Sequence, residues 1–120
     1  MGKKTVVLGA SMNPSRYSYL AVKKLRSHDH PVVAIGRRKG NIGDIEIKID
    51  HELEEDVDTV TLYLNSQNQK EYYDYILGLK PQRIIFNPGT ENAELEKKAK
   101  EAGIEPVEAC TLVMLSIGNY

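Results

Sequence analysis

Short runs of β-branched and aliphatic residues alternate with amphipathic segments along this chain, and no other feature restricts the fold as much. Thr5-Val-Val-Leu8, Val32-Val-Ala-Ile35, residues 59–64 and Arg83-Ile-Ile-Phe86 are near-continuous apolar runs of strand length. A strand reads this way when both its faces are covered, as in a parallel sheet with helices on each side. Between these runs, residues 17–26 set Ser18, Ala21, Val22 and Leu25 on one helical face, with Lys23, Lys24 and Arg26 opposite. Residues 67–79 place Tyr72, Ile76 and Leu79 at helical spacing. Residues 91–102 turn Leu95, Ala99 and Ala102 inward ahead of Gly103, a residue suited to a left-handed cap. The succession predicts an α/β, Rossmann-like three-layer sandwich with a mostly parallel sheet. A length of 120 residues, 41% of them apolar, suits a single domain over 1–120.

Two of the six predicted strands look like edges. Ile45-Glu-Ile-Lys-Ile49 alternates strictly, which leaves one face wet, and Pro106 within 104–108 cannot donate to a ladder. These are the third and sixth strands, the two edges of the order 3-2-1-4-5-6. Residues 37–44 are too few for a helical crossover, so the first half is a reduced version of the motif. An apolar-rich stretch, 111–118, is expected to form a terminal helix over the sheet or part of a subunit contact, with a homodimer as a secondary expectation. No internal repeat or linker is evident.

Charge and cysteine content narrow the function. A net charge of −1 argues against a nucleic-acid binder. One cysteine excludes an internal disulfide framework and points to a reducing compartment. The residues after Met1 are too few and too polar for a secretory signal, and no run approaches the ~20 needed to span a bilayer. A soluble, cytoplasmic protein away from membranes is expected.

Ligands of open α/β sheets sit beyond the carboxyl ends of the strands. The first loop there, residues 9–18, has Gly9 for a tight turn and a following helix N-terminus that can face an anion. The dinucleotide fingerprint G-x-G-x-x-G is broken, since Ser11 and Pro14 stand where the second and third glycines belong; a plain turn capped by Asn13, Ser15 or Ser18 is the alternative. The second loop, Gly36-Arg37-Arg38-Lys39-Gly40, has cations where an NAD site has an acid. Arginine forks and a lysine charge suit a ribose phosphate, which both NADP and coenzyme A (CoA) carry. The third loop, with Leu64 and Asn65, is uncharged and suits a ligand's middle portion or a helix cap. The fourth, Asn87-Pro-Gly89-Thr90, can expose backbone N–H groups through Gly89 and cap the next helix through Asn87 or Thr90.

Gly9-Ala10-Ser11-x-Asn-Pro14-Ser-Arg16-Tyr-Ser18-Tyr19, following a strand, resembles the opening of the small stand-alone CoA-binding proteins. These are similar to the N-terminal domain of the succinyl-CoA synthetase alpha subunit, and the resemblance runs nearly end to end. Arg37-Arg38-Lys39-Gly40 occupies the place of the synthetase's CoA-contacting Pro-Gly-Lys-Gly. Tyr63-Leu64-Asn65 matches its Tyr-Val-Pro without the proline, and the region of Asn87-Pro-Gly89 its Thr-Glu-Gly without the acid. Cys110 falls where these proteins often have a cysteine. The resemblance implies binding of CoA or an acyl-CoA, with phosphates near Arg37–Lys39 and the 9–11 turn. The synthetase's phosphorylated histidine lies in its following domain, so binding is implied without that reaction.

No complete catalytic set emerges from the residues. His28 and His30 are expected at the far end of the sheet as cations near a helix C-terminus, and His51 at the start of a solvated acidic helix, 52–56. No metal-ligand spacing occurs, and Cys110 has no evident histidine partner. Tyr72, Tyr73 and Tyr75 are read as packing residues. Two other readings stay open: an NADP-dependent oxidoreductase-type protein, and a Rossmann-like interaction protein with a vestigial pocket.

Overall fold

The computed structural model describes residues 2–120. It contains one seven-stranded sheet with helices on both faces. The strands are β1 (Thr5–Leu8), β2 (Val32–Ile35), β3 (Gly40–Ile42), β4 (Ile45–Lys48), β5 (Thr59–Leu62), β6 (Arg83–Phe86) and β7 (Glu105–Glu108). The helices are α1 (Tyr17–Ser27), α2 (Ser66–Gln69), α3 (Tyr73–Leu79), α4 (Ala93–Glu101) and α5 (Thr111–Ile117). The sheet order is β3-β4-β2-β1-β5-β6-β7, with every pairing parallel except β3 with β4.

The mostly parallel Rossmann-like class is as read from the sequence, but the sheet has a strand more. The residues expected to be the third, edge strand form β4, and its outer side is covered by β3. This extra strand solves the short-connection problem. The chain leaves β2, runs back along β3 and turns at Gly43, where φ is +59°, so that β4 enters parallel to β2 with no crossover helix. At the other edge β7 carries Pro106, as expected.

Strand alternation divides the core. Val6 and Leu8 of β1, Val60 and Leu62 of β5, and Ile84 and Phe86 of β6 meet Tyr72, Tyr75, Ile76, Leu79, Leu95 and Ala99 on the α3–α4 face. On the opposite face Val7, Ala34 and Ile47 meet Val22 and Leu25 of α1 and Leu115 of α5. That second face also carries the buried hydroxyls of Thr5, Thr59 and Thr61, each of them hydrogen-bonded.

Three local expectations are corrected. The helix read as continuous over 67–79 is interrupted by one 3-10 turn, Lys70–Tyr72. Residues 52–56 form no helix: Lys4 Nζ holds the Glu55 carbonyl at 2.8 Å and Glu54 Oε1 at 3.3 Å, and the His51 ring packs on Tyr72 at 4.6 Å. His30 is not a helix-end cation. Its Nδ1 accepts the Lys3 N–H at 2.9 Å, its ring lies 4.8 Å from that of Tyr120, and burial, with His28, Lys3 and Arg83 nearby, pulls its pKa below the usual value. Among the described residues no helix is long and apolar enough to cross a membrane, and no group of side chains could hold a metal ion.

Candidate functional site

A cleft of about 850 Å³ opens at the carboxyl ends of β1, β2, β5 and β6, within the roughly 300–1,000 Å³ of small-molecule sites. Its walls begin with close backbone approaches. Gly9 has φ +93°, and a Cβ there would lie 2.9 Å from the Tyr63 carbonyl group; a Cβ on Gly36 would lie 2.3 Å from the Ala10 carbonyl oxygen. These glycines let the three central strand ends converge. Gly36 therefore acts from behind the wall and does not line the cleft.

The first loop is shaped by its own hydrogen bonds. The Gly9 and Ala10 N–H groups both donate to Ile35 O, at 2.9 and 3.0 Å, so the loop's outward amides begin at Ser11 and not at Gly9. A turn then closes with Arg16 N–H donating to Asn13 O at 3.0 Å, Asn at its first position and Pro14 at its second, the residues such turns favour. Asn13 Oδ1 also accepts from the Ser15 N–H at 3.0 Å. Pro14 thus serves the turn and stands outside the cleft. Arg16, which offers no acceptor, stands at the cap position, so α1 has no side-chain cap, and it has no acid in its first turn. The expectation of a cap from Asn13, Ser15 or Ser18 is corrected accordingly. The N–H groups of residues 17–19 have no internal acceptor among the described residues, and Arg16, Tyr17 and Ser18 line the cleft. Aligned free donors at a helix start favour an anion.

Arg37 and Arg38 line the cleft at the β2 end, and Lys39 does not. The ion pairs among the described residues are Lys4–Glu54 and Arg26–Asp44, so Arg16, Arg37 and Arg38 are unpaired. Among the described residues no carboxylate lines the cleft. At the β5 and β6 ends the lining is uncharged: Tyr63, Leu64, Asn65, Pro88, Gly89 and Thr90. The cleft therefore runs from cationic to neutral across four strand ends, about 14 Å at roughly 4.8 Å per spacing.

The neutral end rests on a buried polar layer that the sequence did not signal. Asn87, 2% exposed, donates through Nδ2 to Thr61 Oγ1 and Leu62 O at 2.7 and 2.8 Å, and its Oδ1 accepts the Thr111 N–H at 2.9 Å. Its amide is used up inside the fold, so it supports the loop and is not part of the lining. The Gly89 N–H donates to Glu91 Oε1 at 3.0 Å and is not free, and Asn92, not Thr90 or Asn87, caps α4. Asn65 caps α2 by accepting the Asn68 N–H at 2.9 Å, as its residue type allowed. Among residues the sequence did not single out as contacts, Met12, Asn13, Tyr17, Tyr63, Pro88 and Thr90 join the walls. The enclosed Tyr63 hydroxyl makes no well-aligned hydrogen bond among the described residues, and burial, with Cys110 close by, pushes its pKa up. Cys110 itself is half-buried at the start of α5, outside the cleft.

Comparison with known protein families decides the kinship, because a family model described as a CoA binding domain matches residues 3–116. The chain belongs to the CoA binding domain family. Three arginines outside any ion pair among the described residues and the uncapped start of α1 line its cleft. Among solved structures, the crystal structure of an uncharacterized protein is 54% identical with a TM-score of 0.97, covering 100% of this chain and 99% of that one. The structure called cell-free ID.343 from Thermus thermophilus is 25% identical with a TM-score of 0.86, covering 99% and 91%. A hypothetical protein from Pyrococcus horikoshii OT3, at 23% identity, shares the fold with a TM-score of 0.87, covering 97% and 83%. A search of curated proteins finds no match.

Proposed function

We propose that the cleft binds CoA or an acyl-CoA, as a ligand-binding module of the cytoplasm with no catalytic set of its own. The observation that carries this reading is the gradient along the cleft, from three unpaired arginines and an uncapped helix start to a neutral far end. CoA has the same polarity. Its 3′-phosphate and pyrophosphate form a charged head that suits Arg37, Arg38 and the start of α1, and its pantetheine arm is uncharged and suits the wall of Tyr63, Leu64 and Thr90. Arginine is well matched to such phosphates because its planar fork can make paired charge-assisted hydrogen bonds. The protein's small total charge of −1 fits attraction focused on one ligand and not on a polyanion.

Native mass spectrometry of the purified protein, before and after dialysis against CoA, tests the reading. A one-to-one adduct of CoA mass supports it. Absence of an adduct under both conditions, or an adduct with NADP and none with CoA, overturns it.

A further inference from the structure

Beneath the neutral end of the cleft lies Gln69, fully buried, with every polar atom of its amide engaged. Its Nε2 donates to the carbonyl oxygens of both Leu64 and Thr90, each at 2.8 Å, and its Oε1 accepts from Asn92 Nδ2 at 2.9 Å. Asn92 is held in turn, with Oδ1 accepting the Leu95 N–H at 3.1 Å and Nδ2 donating to Tyr73 Oη at 2.8 Å. The Tyr73 hydroxyl donates to Glu94 Oε1 at 2.9 Å. Leu64 and Thr90 belong to different loops, one after β5 and one after β6, and both line the cleft. The register between those strands ends at Leu62 with Phe86, so past that point the ladder no longer sets the distance between the loops.

We infer that Gln69 is a positioning residue which fixes the spacing of the two loops flanking the ligand's uncharged arm. The inference rests on the proposed CoA reading and deepens it. An amide with two donors can bridge the loops because it satisfies two buried carbonyl groups at once, and each would be left without a partner if the side chain lost its hydrogens. Arg37, Arg38 and Arg16 take no part in this network. Loosening Gln69 should therefore weaken the grip on the pantetheine arm and spare the grip on the phosphates.

The test compares CoA with adenosine 3′,5′-bisphosphate, which keeps the phosphorylated ribose and lacks the arm. Both are titrated calorimetrically into the wild-type protein, Gln69→Met and Asn92→Ser. Serine remains a good helix cap but removes the bond that orients Gln69. Gln69→Met is expected to bind CoA about tenfold more weakly, with the bisphosphate within about twofold of wild type. Asn92→Ser should shift the same ratio in the same direction by a smaller factor, and decides the matter if Gln69→Met does not fold. Equal losses for both ligands in a folded variant, or no loss for either, overturn the positioning role. Failure of the wild-type protein to bind CoA overturns the functional reading on which it rests.

Discussion

Two neighbouring cations, Arg38 and Lys39, differ in one respect that matters: the first lines the cleft and the second does not. Lys39 is exposed and outside the lining, and an exposed charge that makes no direct contact is weakened by solvent and salt. Arg38→Ala is therefore expected to weaken CoA binding about fivefold to tenfold, and Lys39→Ala by less than about twofold, in parallel calorimetric titrations. Gly36 makes a different kind of contribution. An added methyl group would meet the backbone of Ala10, which cannot swing aside as a flexible side chain could. Gly36→Ala should cost about 1–3 kcal/mol in urea unfolding with an unchanged slope. His30 has its pKa lowered in the folded protein, so the unfolded chain binds the proton more readily. Its contribution is thus present above the ordinary histidine range, near about 6.5, and is lost as pH falls through the folded value. The melting temperature should drop between about pH 7.5 and 5, and His30→Asn, which keeps an acceptor that does not titrate, should show a smaller drop.

At the scale of elements, the uncapped start of α1 sets stability against binding. Arg16 occupies the cap position with the extended backbone a capping residue needs, φ −84° and ψ 142°, but supplies no acceptor. Arg16→Asp would cap the helix and place a negative charge at its positive end. It should raise stability in the absence of ligand by about 1 kcal/mol while weakening CoA binding by about tenfold or more. Thermal melts and titrations of one preparation check both signs. The same helix shows what the sequence made legible. Its buried face of Ser18, Ala21, Val22 and Leu25 is as read from the 3.6-residue period. The buried strands were equally plain, because a run covered on both faces lacks the apolar–polar alternation of a half-exposed strand. β3 was not legible: Gly40-Asn-Ile42 has neither length nor apolar content, and it is a strand only because β4 offers it an edge. The layer of Gln69, Asn87 and Asn92 left no trace either, since an amide that caps, clamps or faces solvent looks the same in sequence. Arg37 and Arg38 were legible through their place after β2, and Lys39 shared that place without sharing the cleft.

On the scale of the whole molecule, the sheet brings four strand ends into one line, with Arg16, Arg37 and Arg38 supplied by the loops after β1 and β2 and uncharged residues by those after β5 and β6. A solved structure 54% identical in sequence shares this frame with a TM-score of 0.97. The proposed recognition depends on the pairing of that cationic end with the phosphates of CoA, and the 3′-phosphate separates CoA from other nucleotide ligands. Calorimetric titration of CoA and of dephospho-CoA, each into the wild-type protein and into the Arg37→Ala/Arg38→Ala double variant, tests that pairing most directly. The wild-type protein should bind CoA about tenfold or more tightly than dephospho-CoA, and the variant should bind both about equally. Equal affinities for the two ligands in the wild-type protein, or a preference that survives in the variant, would contradict it.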